Sequence, residues 1–114
     1  LALATGEPVR VVVGDLAFLH DVGGLARGSH EREVDLQVIV LDDGGGGIFA
    51  TLEHGRPEHA AVYPRYFGTP QQVDLAALAR GYGADHHLVR STAELTRALA
   101  APVRGRSVIQ VPLA

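Results

Sequence analysis

Apolar residues along this chain fall into short β-branched runs that alternate with stripes at helical spacing. Val9-Arg10-Val11-Val12-Val13 halts at Gly14-Asp15. It reads as a buried strand of a parallel sheet, where near-continuous apolar runs replace simple alternation. Leu16, Leu19, Val22 and Leu25 follow at spacings of three, which predicts a helix over 16–27 whose second half Gly23-Gly24 weakens. After a polar loop over 28–33, Leu36 to Leu41 predicts a second strand, ending at Asp42-Asp43 and the run Gly44 to Gly47. Ile48 to Leu52 predicts a short helix. Residues 53–70 carry no sustained period and include Gly55, Pro57, Pro64, Gly68 and Pro70; a loop of that length in a compact domain is functional or mobile.

The remaining elements are better punctuated. Asp74 caps a helix over Leu75 to Arg80 that ends near Gly81 and Gly83. His86 to Val89 predicts a short strand. Ser91-Thr92-Ala93-Glu94 is a capping-box pattern opening a helix through Leu95, Leu99 and Ala100, and Ser107 to Val111 closes as a strand. Strands alternating with helices predict an α/β three-layer sandwich, a mainly parallel sheet with helices on both faces.

Composition narrows the function. With 114 residues, 46% hydrophobic, 20% charged and a mean hydropathy of +0.12, the chain is expected to form one folded domain over 1–114. It has no Cys, so disulfides, thiolate metal sites and a cysteine nucleophile are excluded, and the expected compartment is the cytoplasm. All ten basic residues are Arg, against thirteen acidic ones, and the net charge of −3 is dispersed; the basic face that nucleic acid needs is missing. Apolar stretches are only a few residues long, whereas a membrane span takes about 20. A first residue of Leu rather than Met points to a longer natural chain. His54, His59 and the pair His86-His87 lack zinc-site spacing, and Arg90, Arg97, Arg104 and Arg106 are expected on a solvated face.

Two core strands end in acidic residues, Asp15 and Asp42-Asp43. Ligands in open parallel sheets bind beyond the carboxyl ends of the strands. Carboxylates converging there repel unless a cation lies between them, and oxygen ligands favour Mg²⁺ or Ca²⁺. Neighbouring glycines let the backbone approach a ligand. The plainer alternative is that the aspartates cap helices and the glycines turn the chain. No Gly-Lys-Ser/Thr follows, and G-x-G-x-x-G is absent, so neither the P-loop nor the dinucleotide fingerprint applies.

Gly14-Asp15, a crossover and then Asp42-Asp43-Gly44-Gly45 resemble the thiamine-diphosphate motif. More narrowly, Gly14-Asp15-Leu16-Ala17-Phe18-Leu19-His20-Asp21, Gly45-Gly46-Gly47-Ile48-Phe49 and Phe67-Gly68-Thr69-Pro70 resemble, in order and nearly end to end, the C-terminal domain of the MenD-type 2-succinyl-5-enolpyruvyl-6-hydroxy-3-cyclohexene-1-carboxylate synthase family. The resemblance implies the thiamine-diphosphate-binding version of the α/β sandwich. It implies thiamine diphosphate with Mg²⁺ or Mn²⁺ as cofactors, with Asp15, Asp43 and the Gly45 carbonyl on the metal. Gly14, Asp15, Leu16, Asp43, Gly45, Gly46, Ile48 and Phe49 would line the cofactor site. Asp43 stands where many relatives carry Asn and adds a charge that favours metal retention. Asp42 and Gly44 also depart from the family's polar residues, and Gly23-Gly24 departs from its Asn-Gly.

The implied reaction is decarboxylation of 2-oxoglutarate and addition of the product to isochorismate, a transferase step of menaquinone biosynthesis. No catalytic residue is assigned, because the family's activating Glu lies in another domain, usually of a partner subunit. The remaining domains of the same enzyme, in a homodimer or homotetramer, are therefore the implied partners, and this chain alone is expected to be inactive. Two alternatives stay open: a domain of another thiamine-diphosphate enzyme, of acetolactate synthase or decarboxylase type, or a non-catalytic doubly wound module that holds an anion. Without ligand, residues 44–70 are expected to be the most mobile part of the chain.

Overall fold

The computed structural model describes residues 1–113. A helical turn, α1 (Ala2–Thr5), precedes β1 (Val9–Gly14), which runs directly into α2 (Asp15–His20). The second strand, β2 (Leu36–Asp42), is followed by a long irregular stretch and α3 (Leu75–Gly81). The chain finishes with β3 (Asp85–Leu88), α4 (Thr92–Ala100) and β4 (Arg106–Pro112). The four strands form one wholly parallel sheet in the order β1-β2-β4-β3.

Side-chain alternation on the two central strands divides the core between the faces. Val38, Val40 and Val108 join Phe18, Leu25, Leu75, Ala79 and Ala84 under α2 and α3. Ile39 and Ile109 meet Val89 on the other face, with Leu95 and Leu99 of α4 packed over them. Helices therefore cover both faces, which gives the expected three-layer α/β sandwich. Burying one Val, Leu or Ile side chain contributes about 1.5–3 kcal/mol, so these strands carry much of the fold's stability. The expected caps form: Asp74 accepts from the Ala77 N–H at 2.9 Å and Ser91 Oγ from the Glu94 N–H at 3.2 Å.

Three expectations need correction. β1 is not buried: it is the sheet's edge strand, with Val11 38% and Val12 59% exposed, because among the described residues it has a neighbour on one side only. The helix expected over 16–27 stops at His20; Val22–Leu25 forms a 3₁₀ turn instead, as the low helix propensity of Gly23-Gly24 favours. Phe18, which the spacing of threes omits, supplies the buried residue of α2 together with Asp15. Third, Arg106 does not belong to a solvated face. Its side chain is 8% exposed and donates to Glu33 Oε1 at 2.8 Å, to the Tyr82 carbonyl at 2.8 Å and to the Leu25 carbonyl.

The stretch after β2 is built of short turns: 3₁₀ turns at Gly47–Thr51, Glu53–Gly55 and Pro57–His59 and a π turn at Pro64–Gly68. The first of these stands where a short helix over Ile48 to Leu52 was expected. Residues 47–62 are all exposed. Among the described residues no helix is long and apolar enough to cross a membrane.

Candidate functional site

The pairing of Gly14 with Leu41 sets the carboxyl ends of β1 and β2 side by side. Asp15, the first residue of α2, is therefore brought against the Asp42-Asp43 end of β2. Asp15 is 1% exposed. Burial pushes its carboxyl above the usual carboxylate range, and the adjacent Asp43 pushes it further, while hydrogen bonds from Gln71 and the Leu16 N–H act the other way. Among the described residues, no ion pair involves Asp15, Asp42 or Asp43. Desolvated negative charge next to a second carboxylate, with no positive partner, is the environment a cation relieves.

The two neighbouring aspartates of β2 have different surroundings. Asp42 is enclosed by donors: the Gly44 N–H at 3.2 Å, Gln71 Nε2 at 3.3 Å and Gln110 Nε2 at 2.6 Å. Asp43 accepts from the Gly45 N–H at 3.3 Å, is exposed, and stands over Gly47, where a Cβ would run into its carboxylate. Gly45 adopts φ +152°, outside the range of ordinary L residues, and a Cβ there would collide with the Gly68 carbonyl. The buried Gly45 carbonyl accepts no backbone hydrogen bond among the described residues. Asp15, Asp43 and Gly45 thus line the same cleft.

This cleft has a volume of about 320 Å³. Its walls include Gly14, Asp15, Leu16, Asp43, Gly45, Gly46, Ile48 and Phe49, the whole set expected from the sequence, together with Ala17, Leu41, Gly47 and Leu113. Asp42 is not among them. Among the described residues there is no group of three or more His, Asp or Glu that could hold a metal ion. The donors present suit a hard cation that retains waters and completes its shell with phosphate oxygens, which is how Mg²⁺ is usually held. A larger hollow, about 680 Å³, lies at the opposite end of the sheet beside Arg10, Asp35 and Arg104. It is shallow, and Arg10 is already bonded to Gln37 and to the Leu99 and Ala101 carbonyls.

The block Phe67 to Pro70 folds back on the glycines. The Gly46 N–H donates to the Gly68 carbonyl at 2.6 Å, the Gln71 N–H to the Gly44 carbonyl at 3.1 Å, and Tyr63 Oη to the Gly46 carbonyl at 3.3 Å. Phe67 packs against Phe49 and Tyr63, each at 6.3 Å between ring centroids, and against His54 at 4.3 Å. Sequence reasoning missed Gln71 and Gln110. Gln71 directly follows the Phe67 to Pro70 block, and its adjacency was the only available signal.

Comparisons with known proteins place the chain in a family. The family described as "Thiamine pyrophosphate enzyme, C-terminal TPP binding domain" matches residues 1–111. Among curated proteins, the 2-succinyl-5-enolpyruvyl-6-hydroxy-3-cyclohexene-1-carboxylate synthase of Renibacterium salmoninarum is 52% identical over 97% of this chain and 21% of its own length. The synthase of the same name from Paenarthrobacter aurescens is 46% identical over 97% and 20%. The chain therefore spans about a fifth of the curated relatives it matches. Among solved structures, benzoylformate decarboxylase from Polynucleobacter necessarius superposes with TM-score 0.71 at 26% identity, covering 97% of this chain and 20% of that one. A Rhodococcus jostii 4-hydroxybenzoylformate decarboxylase gives TM-score 0.71 at 22% identity, over 97% and 21%.

Proposed function

Because the chain belongs to the thiamine pyrophosphate enzymes, as their C-terminal TPP-binding domain, we propose that residues 1–114 are the single diphosphate- and Mg²⁺-binding domain of a longer MenD-type synthase. In this reading the complete enzyme is cytoplasmic and assembles as a homodimer or homotetramer. It decarboxylates 2-oxoglutarate and joins the product to isochorismate. The observation that carries the reading is that Asp15, Asp43 and Gly45 line one cleft at the carboxyl ends of β1 and β2. Identities of 46–52% to the synthases, against 26% to a decarboxylase, favour the synthase over the decarboxylase alternative.

Asp15, Asp43 and the Gly45 carbonyl would hold Mg²⁺, or Mn²⁺, against the diphosphate of the cofactor. Thiamine diphosphate supplies the electron sink for breaking and making bonds at a carbonyl carbon. The protein's part here is position and charge. Gly46 and Gly47 keep the wall free of side chains, and Leu16, Ile48 and Phe49 would present apolar surface to the bound cofactor. The group that activates the aminopyrimidine comes from the remaining domains, so this chain alone does not turn over.

The test is Asp15→Ala in the full-length protein. Isothermal calorimetry should show Mg²⁺-dependent binding of thiamine diphosphate lost, with the circular dichroism spectrum intact. Unchanged affinity would remove the metal assignment. Catalysis with 2-oxoglutarate and isochorismate by the full-length enzyme, and none by residues 1–114, checks the rest.

A further inference from the structure

Gln71 touches two of the three aspartates at the strand ends. Its Nε2 donates to Asp15 Oδ2 at 2.8 Å and to Asp42 Oδ1 at 3.3 Å, while its Oε1 accepts from the Val73 N–H at 2.8 Å. The amide can sit only one way round: flipped, an oxygen would face two carboxylates and an NH₂ would face an N–H. Its backbone is fixed as well, by the hydrogen bond to the Gly44 carbonyl. Asp42 in turn gives its other oxygen, Oδ2, to Gln110 Nε2 at 2.6 Å, and Gln110 Oε1 meets His86 Nε2 at 2.9 Å. A continuous chain of hydrogen bonds therefore runs from His86 on β3 through Gln110 on β4, Asp42 on β2 and Gln71 to Asp15.

We propose that Gln71 is a positioning residue for Asp15, and that Asp42 is its anchor on the sheet rather than a metal ligand. Fixing one oxygen of the Asp15 carboxyl fixes its rotation, and so fixes where the second oxygen lies relative to Asp43. An amide suits this task because it is neutral. An Arg or Lys at position 71 would hold the same carboxylates but would cancel the charge that a cation in the cleft requires. Partners of this kind, one step behind a metal ligand, typically change metal affinity by about 10–100-fold when removed. The inference rests on the placement of Asp15 at the metal, so its test includes a control for that placement.

In the full-length protein, Gln71→Met keeps the length of the side chain and deletes both donors. The Mg²⁺ dissociation constant at saturating thiamine diphosphate should rise by about 10–100-fold. The melting temperature without metal and cofactor should stay within a few degrees of the parent. Gln110→Met, two bonds further from the ion, should raise the same constant by a smaller factor. Bound Mn²⁺ should show an altered electron paramagnetic resonance line shape in Gln71→Met, which loss of packing alone would not produce. A Mg²⁺ constant within twofold of the parent for Gln71→Met, while Asp15→Ala abolishes binding, would overturn the positioning role and leave the site reading standing. Retained metal binding in Asp15→Ala would overturn both. Should Gln71→Met fail to fold, Gln110→Met decides: a constant within twofold of the parent overturns the proposal.

Discussion

The two ends of the sheet handle charge in opposite ways. At the amino end, Arg10 of β1 donates to Gln37 Oε1 at 2.9 Å and to the Leu99 and Ala101 carbonyls at 2.8 and 2.9 Å. Arg106 of β4 clasps the Leu25 and Tyr82 carbonyls and Glu33, and its guanidinium holds the Glu33 carboxyl below the usual carboxylate range. Arg10 and Arg106 are both satisfied from within the chain. At the carboxyl end Asp15, Asp42 and Asp43 have amide donors but, among the described residues, no cationic partner. One end is complete as folded, and the other is left short of positive charge. This difference is visible independently of any motif, and parallel sheets take their ligands at the carboxyl ends of the strands.

The largest effect is expected at Arg106. Arg106→Ala leaves two carbonyls without their donor, and an unsatisfied buried polar group costs about 1–3 kcal/mol. The expected loss is about 3 kcal/mol of stability, read as a lower urea midpoint in the full-length protein, with Mg²⁺ affinity unchanged. An equal loss of metal affinity would show that the two ends are not independent. Asp43→Asn should act at the other end only. It removes one charge and keeps an oxygen ligand, so the Mg²⁺ constant should rise less than tenfold, by about 1 kcal/mol or less, with stability preserved. A hundredfold rise would mean that the site depends on net charge rather than on ligand geometry.

A contrast within the site itself is smaller in effect and equally direct. Residues 67–71 are tied to the glycines by the Gly46 and Gln71 N–H bonds, whereas residues 47–62 bury almost nothing. In ligand-free protein, amide exchange should be fastest over 47–62, slower at Gly46 and Gln71, and slowest on β2 and β4. Uniform protection across 44–71 would show that the whole stretch is structural.

Much of this was legible in the sequence, for reasons that differ by element. β2 and β4 could be read because a strand covered on both faces needs consecutive apolar residues. β1 shows the same pattern yet lies at the edge, since the number of neighbours a strand has is decided by the chain's topology and leaves no mark on its own residues. Of the eight residues expected at the cofactor, strand ends and the glycine run pointed to Asp15, Asp43 and the glycines, and Leu16, Ile48 and Phe49 came only with the resemblance of the sequence blocks; all eight line one cleft. Gln71 was not. Its partner Asp15 is 56 positions away, and the two meet only because the Phe67 to Pro70 block doubles back. Arg106 was misread for a similar reason: its acceptors lie on two other elements, and a side chain's partners at that distance have no local signature.

The smallest effect belongs to the Asp15 charge, and its sign reverses with metal. Burial and Asp43 raise the Asp15 carboxyl in the folded protein, while in the unfolded chain it titrates at the ordinary carboxyl value. Between those two values the folded state holds the extra proton, so stability without metal falls as pH rises through that window and stays reduced above it. Asp15→Asn removes this charge while keeping an acceptor for Gln71. At neutral pH it should raise the melting temperature of the metal-free full-length protein by a few degrees, a modest gain typical of relieving a site shaped for a ligand, and it should remove the fall in stability that Asp15 causes as pH rises through its window. With Mg²⁺ and thiamine diphosphate present the same substitution should lower the melting temperature below that of the parent, because the stabilisation a bound ligand gives is lost with its ligand oxygen. Differential scanning calorimetry across both conditions checks the crossing. A lower melting temperature in both would show that the Asp15 charge is satisfied by the chain itself, and the contrast between the two ends would disappear.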